Sequence, residues 1–93
     1  YTLRSRETDL NINNNPYHLH CHSSGNQQGN CFDGYGTITG TGKSAKNIIV
    51  VGNITTTEVL SSSSSCGPVH DGRIKPEIVA MGTSVFSTYT PIN

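Results

Sequence analysis

Three histidines near the start of the sequence have the spacing of a candidate metal site. His18, His20 and His22 fall in residues 17–23, which we predict to be a β-strand. Alternate residues of a strand point to one face, so three imidazoles and the nearby Cys31 form a ligand set suited to Zn²⁺. The alternative is that these are ordinary polar or core positions, because a neutral imidazole can satisfy both ring nitrogens with hydrogen bonds. We favour the second interpretation and assign no metal site.

A second segment, Gly40-Thr41-Gly42-Lys43-Ser44, is similar to a phosphate-binding loop. The complete motif also requires a glycine at position 37, where this chain has Thr37. No apolar strand precedes the segment, and residues 48–51 follow too soon for the helix that the motif requires. We therefore expect no nucleotide binding.

Two further segments carry groups that chemistry can use. Residues 23–26, Ser-Ser-Gly-Asn, place a side-chain amide at the end of the first predicted strand, although taken alone they indicate an ordinary turn. Asn53-Ile54-Thr55 is a glycosylation sequon, which matters only in an exposed segment of a secreted eukaryotic protein.

The composition limits both the size and the partners of the chain. With 93 residues, 32% of them apolar and no Trp, it can form at most one small domain with a thin core. The formal net charge of zero gives no reason to expect nucleic acid or an anionic membrane as a partner, and no apolar run reaches the roughly 20 residues of a membrane span.

The chain starts without Met or a signal peptide pattern, so we interpret it as an internal piece of a longer protein. Three cysteines define no disulfide framework, and either a Cys21–Cys31 bridge or three free buried thiols would fit.

The order of predicted elements indicates part of an α/β layered fold. Asp71-Gly72 marks a turn, and the flanking Arg73 and Lys75 are expected to be solvated or locally paired. Four consecutive β-branched residues at 48–51 are typical of a strand buried in a parallel sheet. The predicted elements are the end of a helix at 3–11, a strand at 17–23, a long loop at 24–42, a buried strand at 48–51, an edge strand at 60–65, a strand at 77–80 and an extended piece at 83–88. A C-terminal hairpin is predicted as well, with Arg73 and Lys75 on its face.

The segment from Ser61 to Thr88 resembles a characteristic segment of the subtilisin-like serine proteases, the subtilases. In that family it has the form S-S-x-G-P-x-x-D-G-R-x-K-P-D-I-x-A-P-G-x-x-V-x-S, at fixed spacing. Glu77 stands where the family usually has Asp, and Met81 where it usually has Pro. Residues 45–52 are similar to the family strand A-K-N-x-I-x-V-G, followed by Asn53 in place of the usual Ala. The matching residues of the first segment are Ser64, Ser65, Gly67, Pro68, Asp71, Gly72, Arg73, Lys75, Pro76, Ile78, Ala80, Gly82, Val85 and Ser87.

The resemblance also assigns a role to the turn at residues 23–26. Subtilases carry an A-x-G-N motif whose Asn donates a hydrogen bond to the oxyanion of the tetrahedral intermediate, and Asn26 is the matching residue. A neutral amide N–H aimed at developing negative charge is well suited to that task. The resemblance further implies that Ser23, Ser24 and Gly25 line one wall of the primary specificity pocket.

The catalytic triad of the family is missing from this chain. The motifs D-[ST]-G and H-G-T-x-V-A-G, which supply Asp and His, do not occur. Gly82-Thr83-Ser84 imitates the nucleophile motif G-T-S-M-A-x-P but does not continue as it should, so Ser84 is not assigned as the nucleophile. We expect the triad Asp, His and Ser to lie outside this chain, with the nucleophile just beyond Asn93.

The resemblance as a whole implies an internal fragment, residues 1–93, of a single subtilase catalytic domain with a partial three-layer subtilisin-like fold. It implies a serine endopeptidase that acts on polypeptides, needs the remainder of its catalytic domain, uses no organic cofactor and is secreted or at the cell surface. Structural calcium occurs in the family, but this chain has no carboxylate cluster for it. The alternative is a non-catalytic binding module, either a degenerate protease relative or a His-rich metal-binding piece.

Overall fold

The computed structural model describes residues 1–30, 36–40 and 42–88. In these ranges the chain forms one α-helix, α1 (Leu3–Asn14), and three strands, β1 (Cys21–Ser23), β2 (Ile49–Ile54) and β3 (Ile78–Met81), with a 3₁₀ turn at Gln28–Asn30. The strands form a sheet in the order β1-β2-β3, and both pairs are parallel. The predicted α/β class with parallel strands is confirmed.

The register of the sheet fixes where its strands end. Cys21 lies opposite Ile49, and Val51 lies opposite Ile78, so β2 is the central strand. Because all three strands run in the same direction, their carboxyl ends meet at one edge of the sheet. In open α/β sheets this edge is where ligands bind.

Helix α1 begins at a capping box, and one of its carboxylates binds the segment that precedes β2. The Thr2 hydroxyl and the Ser5 hydroxyl each accept from the other residue's backbone N–H, which satisfies two free donors of the first turn. Asp9 then accepts hydrogen bonds from the backbone N–H groups of Lys46 and Asn47, both at 2.8 Å, just before β2 begins. Asp9 therefore joins the helix to the segment that leads into β2, beside the contact between the Ser5 and Ser44 hydroxyls at 2.7 Å.

The ionisation of Asp9 should make the stability of the protein depend on pH. Burial alone would raise its pKa, but hydrogen bonds from the Tyr1 hydroxyl and from the amides of Lys46 and Asn47 outweigh burial and lower the pKa. A lowered folded-state pKa gives stability that is present above the unfolded pKa, about 3.9, and is lost as the pH falls through the folded value. Asp9→Asn should cost about 1–2 kcal/mol at pH 7, with a smaller loss at low pH. Urea denaturation between pH 7 and pH 3 measures this. Glu7→Gln, exposed on the same helix, is the control, and equal effects of the two variants would contradict the prediction.

The core is small and sits between the sheet and the loops that cross it. Val50 in β2 is fully buried, and Ile12 of α1 packs against the cluster from outside. The loop at 67–75 folds back on itself, with Gly67 N–H donating to the Lys75 carbonyl at 3.0 Å and Val69 N–H to the Arg73 carbonyl at 3.1 Å. The buried apolar residues are Ile38, Ala45, Ile48, Val50 and Val69.

Four details of the predicted elements are corrected by the structure. The helix continues to Asn14, and only Cys21–Ser23 of the first predicted strand is paired, because β2 starts opposite Cys21. Residues 60–65 form no strand; Leu60 makes a single antiparallel bridge to Ile54, after which the serines turn inward. Residues 83–88 contain no strand, whereas the hairpin that carries Arg73 and Lys75 is present as the antiparallel hydrogen bonds of the 67–75 loop.

Arg73 and Lys75 differ in environment, although both were expected to be solvated or locally paired. Arg73 pairs with Asp71 at 2.9 Å, as predicted. Lys75 is only 4% exposed. It is stabilised by an ion pair with Glu77 and by donation to the Ile48 carbonyl at 3.3 Å. Burial of this lysine is possible because its counter-charge is two residues away.

Candidate functional site

A groove of about 430 Å³ lies at the carboxyl ends of the three parallel strands. It is lined by residues 21–23 and 26 from β1 and the turn after it, 51–53 from β2 and 80–82 from β3 and the residue that follows. None of these lining residues is Asp, Glu, Lys or Arg. The sheet therefore brings an uncharged, mainly apolar groove with a few polar side chains to the edge where ligand sites are expected.

The turn that follows β1 is held by the serine run far along the chain. Ser24 N–H donates to the Val51 carbonyl at 2.9 Å, and the hydroxyls of Ser24 and Ser64 lie 3.2 Å apart. Ser65 N–H donates to the Gly25 carbonyl at 2.9 Å, and its hydroxyl accepts from Gln27 N–H at 3.0 Å. The backbone on both sides of Asn26 is thereby fixed.

Gly25 has a backbone conformation that favours glycine, and the Lys43 side chain lies against it. Its φ is +106°, in the region that L side chains rarely adopt. A Cβ at this position would lie 2.6 Å from Lys43 Nζ and 3.1 Å from Ser65 Oγ. The lysine side chain therefore packs directly against the Gly25 backbone.

The four residues predicted for the site fall into two pairs, one that lines the groove and one that does not. Ser23 and Asn26 are exposed and line the groove. Ser24 is buried with its hydroxyl against Ser64, and Gly25 is half-buried between Lys43 and Ser65. Thus Ser23 and Asn26 face the groove, and the residues between them hold the turn in place.

Asn53 also lines the groove, although the sequence predicts no part in the site for it. Its amide donates to the Thr83 hydroxyl at 3.0 Å, and that hydroxyl lies 3.3 Å from Asn53 Oδ1. A Cβ at Gly82 would lie 2.8 Å from Asn53 Oδ1, so the glycine leaves room for this amide. The replacement of the usual Ala by Asn53 was the signal in the sequence that pointed to it.

The rings of His18, His20 and His22 lie in a row, and each contacts the next edge to face. Their positions at every second residue agree with this arrangement. The ring centroids of His18 and His20 are 4.6 Å apart, and those of His20 and His22 are 5.3 Å apart. Burial lowers the pKa of His22, and the neighbouring His20 and Lys43 lower it further. Nδ1 of His20 is buried without a hydrogen-bond partner. Among residues 1–30, 36–40 and 42–88, no group of three or more His, Cys, Asp or Glu side chains is placed to hold a metal ion.

Among the described residues, the serines and cysteines singled out in the sequence do not line the groove, apart from Ser23 and Cys21. Ser44 of the segment similar to a phosphate-binding loop is buried and lies 2.7 Å from the Ser5 hydroxyl, while Thr41 lies outside the described residues. Ser84 is exposed with a φ of +57°. Cys21 is an exposed free thiol and Cys66 a half-buried one, against the expectation that free thiols would be buried. Cys31, the other half of the expected bridge, lies outside the described residues.

The parallel sheet, with a groove at the carboxyl ends of its strands, defines a protein of the α/β class. The sequence profile of the Subtilase family matches residues 4–93, and the chain belongs to that family. It is therefore a fragment related to the subtilase serine peptidases, whose substrates are polypeptides. No curated protein and no solved structure matches the chain. None of the described helices is long and apolar enough to cross a membrane.

Proposed function

We propose that this chain is the central portion of a serine endopeptidase catalytic domain and supplies the oxyanion-binding amide of Asn26. The observation that carries the proposal is the position of Asn26, exposed in the groove at the carboxyl edge of the sheet beside Ser23. The hydrogen bonds from Ser64 and Ser65 hold the backbone on both sides of it. A donor held in place before the reaction stabilises charge without any cost of reorganisation.

The chemistry follows from what an amide donor can do. A serine hydroxyl adds to the carbonyl carbon of the peptide, and the carbonyl oxygen becomes an oxyanion as the tetrahedral intermediate forms. Asn26 Nδ2–H donates to that oxygen, and the intermediate then collapses to an acyl-enzyme with loss of the amine. The serine, its His base and the orienting Asp come from polypeptide outside this chain. Ser23 contacts the substrate from the groove, while Ser24 and Gly25 form the wall behind it.

The exposed apolar surface of β3 supports the view that the rest of a domain completes this sheet. Ile78, Val79 and Met81 are each more than 50% exposed. β3 is also an edge strand, and such surface is normally covered in a folded protein. Under this proposal residues 1–93 belong to one catalytic domain, the reaction needs no organic cofactor, and the enzyme is secreted or at the cell surface.

Activity-based labelling tests the proposal directly. The complete polypeptide that contains this chain should hydrolyse a generic fluorogenic peptide and be labelled by a fluorophosphonate, a serine-directed reagent. The 93-residue chain alone should show neither turnover nor label, because the triad is absent from it.

Two outcomes would contradict the proposal. Turnover by the isolated chain that a serine-directed inhibitor abolishes would place the nucleophile within it. A complete polypeptide that binds peptides but neither cleaves them nor takes the label would favour the degenerate, non-catalytic relative.

A further inference from the structure

The ammonium of Lys43 lies immediately behind the proposed oxyanion site. Nζ would be 2.6 Å, and Cε 3.8 Å, from a Cβ placed on Gly25, the residue that directly precedes Asn26. The same charge is close enough to His22, which lines the groove, to contribute to lowering its pKa. Lys43 therefore lies between two residues that adjoin the groove.

This cation has no acceptor in the part of the chain that the structure describes. The ion pairs there are Arg73 with Asp71 and Lys75 with Glu77, and Lys43 makes no hydrogen bond through Nζ. Lys43 is half-buried, and its ammonium is not among the fully buried polar atoms of the described residues. An anionic group of a ligand can therefore reach it.

The position of Lys43 relative to Asn26 indicates which part of a substrate it meets. Under the proposed function, on which this inference rests, Asn26 binds the carbonyl oxygen of the residue before the scissile bond. The side chain of that same residue starts one bond away from the carbonyl carbon. It therefore passes closer to the neighbours of Asn26 than any other substrate side chain does.

We propose that Lys43 makes the enzyme select substrates with an acidic residue, Asp or Glu, immediately before the scissile bond. The groove residues carry no formal charge of their own, so Lys43 is the cation among the described residues that biases this site. A carboxylate that reaches the ammonium forms a charge-assisted hydrogen bond, which is stronger than a neutral one. Gly25 has no side chain to separate the two groups.

Matched peptides test this selection in the complete polypeptide. Three fluorogenic substrates should differ only in having Glu, Gln or Lys before the scissile bond. The unmodified enzyme should cleave the Glu peptide with a kcat/KM about 10- to 100-fold above that of the Gln peptide. Lys43→Met should abolish the difference, and Lys43→Glu should favour the Lys peptide. The control is Lys46→Met, an exposed lysine whose ammonium lies 5.4 Å from the centroid of the Tyr1 ring, and it should keep the acidic preference.

The outcomes separate this inference from the proposed function. Cleavage of the Glu and Gln peptides at equal rates by the unmodified enzyme overturns the role of Lys43 and leaves the peptidase activity standing. Failure to cleave any of the three peptides, with no fluorophosphonate label, overturns the proposed function itself. If Lys43→Met does not fold, Lys43→Glu decides, since an undiminished preference of that variant for the Glu peptide overturns the role of Lys43.

Discussion

Replacing Asn26 with leucine in the complete polypeptide should lower kcat for peptide hydrolysis by about 100- to 1,000-fold. Leucine has a similar size and shape but no N–H, so the change removes the donor and keeps the volume. KM should stay nearly unchanged, because the donor acts on an oxyanion that exists only near the transition state. Asn26→Asp should be at least as damaging, since it places a negative charge where negative charge develops.

The matched control is Asn13→Leu, which makes the same chemical change at an exposed position on α1. Its kcat should equal that of the unmodified enzyme. Steady-state kinetics on one fluorogenic peptide, with circular dichroism to verify folding, measure all three variants. A higher KM with an unchanged kcat for Asn26→Leu would contradict the proposal, because it would place Asn26 in ground-state binding only.

The central strand could be predicted from the sequence, although its end could not. The β-branched run at 48–51 indicates a buried strand whatever its neighbours are. The strand is predicted to end at Val51, yet β2 continues to Ile54. A Cβ at Gly52 would lie 3.1 Å from both Pro76 Cγ and Val79 Cγ1, so this glycine permits close packing inside the strand. Only the three-dimensional position of β3 reveals that role.

The serine run shows why the support of the candidate site was hidden from the sequence. Five consecutive serines are equally compatible with a linker and an edge strand. In the structure Ser64 and Ser65 are buried, and their partners in the Ser24–Gln27 turn are about 40 residues earlier in the chain. The identity of a serine does not specify which group its hydroxyl will contact, so these contacts could not be predicted from the sequence. The Asn26 position was found only because its motif resembles that of a family.

The second large effect is expected at Glu77, whose carboxylate neutralises a buried charge. Lys75 has a side chain only 2% exposed, and its ammonium pairs with Glu77 Oε1. Glu77 Oε2 also accepts from the backbone N–H of Val50 at 2.7 Å. Glu77→Leu would leave both the buried ammonium and the Val50 amide without this partner.

Glu77→Leu should therefore lower the free energy of unfolding by about 3 kcal/mol, at the low end for a broken buried pair because the Glu77 side chain is 36% exposed. Lys75→Met should cost only about 1 kcal/mol, since the carboxylate left behind can be hydrated. Glu77→Asp, which restores the residue usual in the family and keeps the charge, should cost less than Glu77→Leu. Urea denaturation followed by circular dichroism measures each value, with Glu7→Leu on the exposed face of α1 as the control.

The pH dependence of the same variants distinguishes the ion pair from simple packing. Burial would raise the pKa of Glu77, but the hydrogen bonds from Lys75 and from the Val50 amide outweigh it and lower the pKa. The contribution of Glu77 is then complete above its unfolded pKa, about 4.3, and is lost as the pH falls through the lower folded value. The stabilities of the unmodified protein and of Glu77→Leu should therefore converge on acidification. If the difference in the free energy of unfolding between the two proteins stayed constant from pH 7 to pH 3, the lost stability would come from packing, because packing does not depend on the protonation of Glu77.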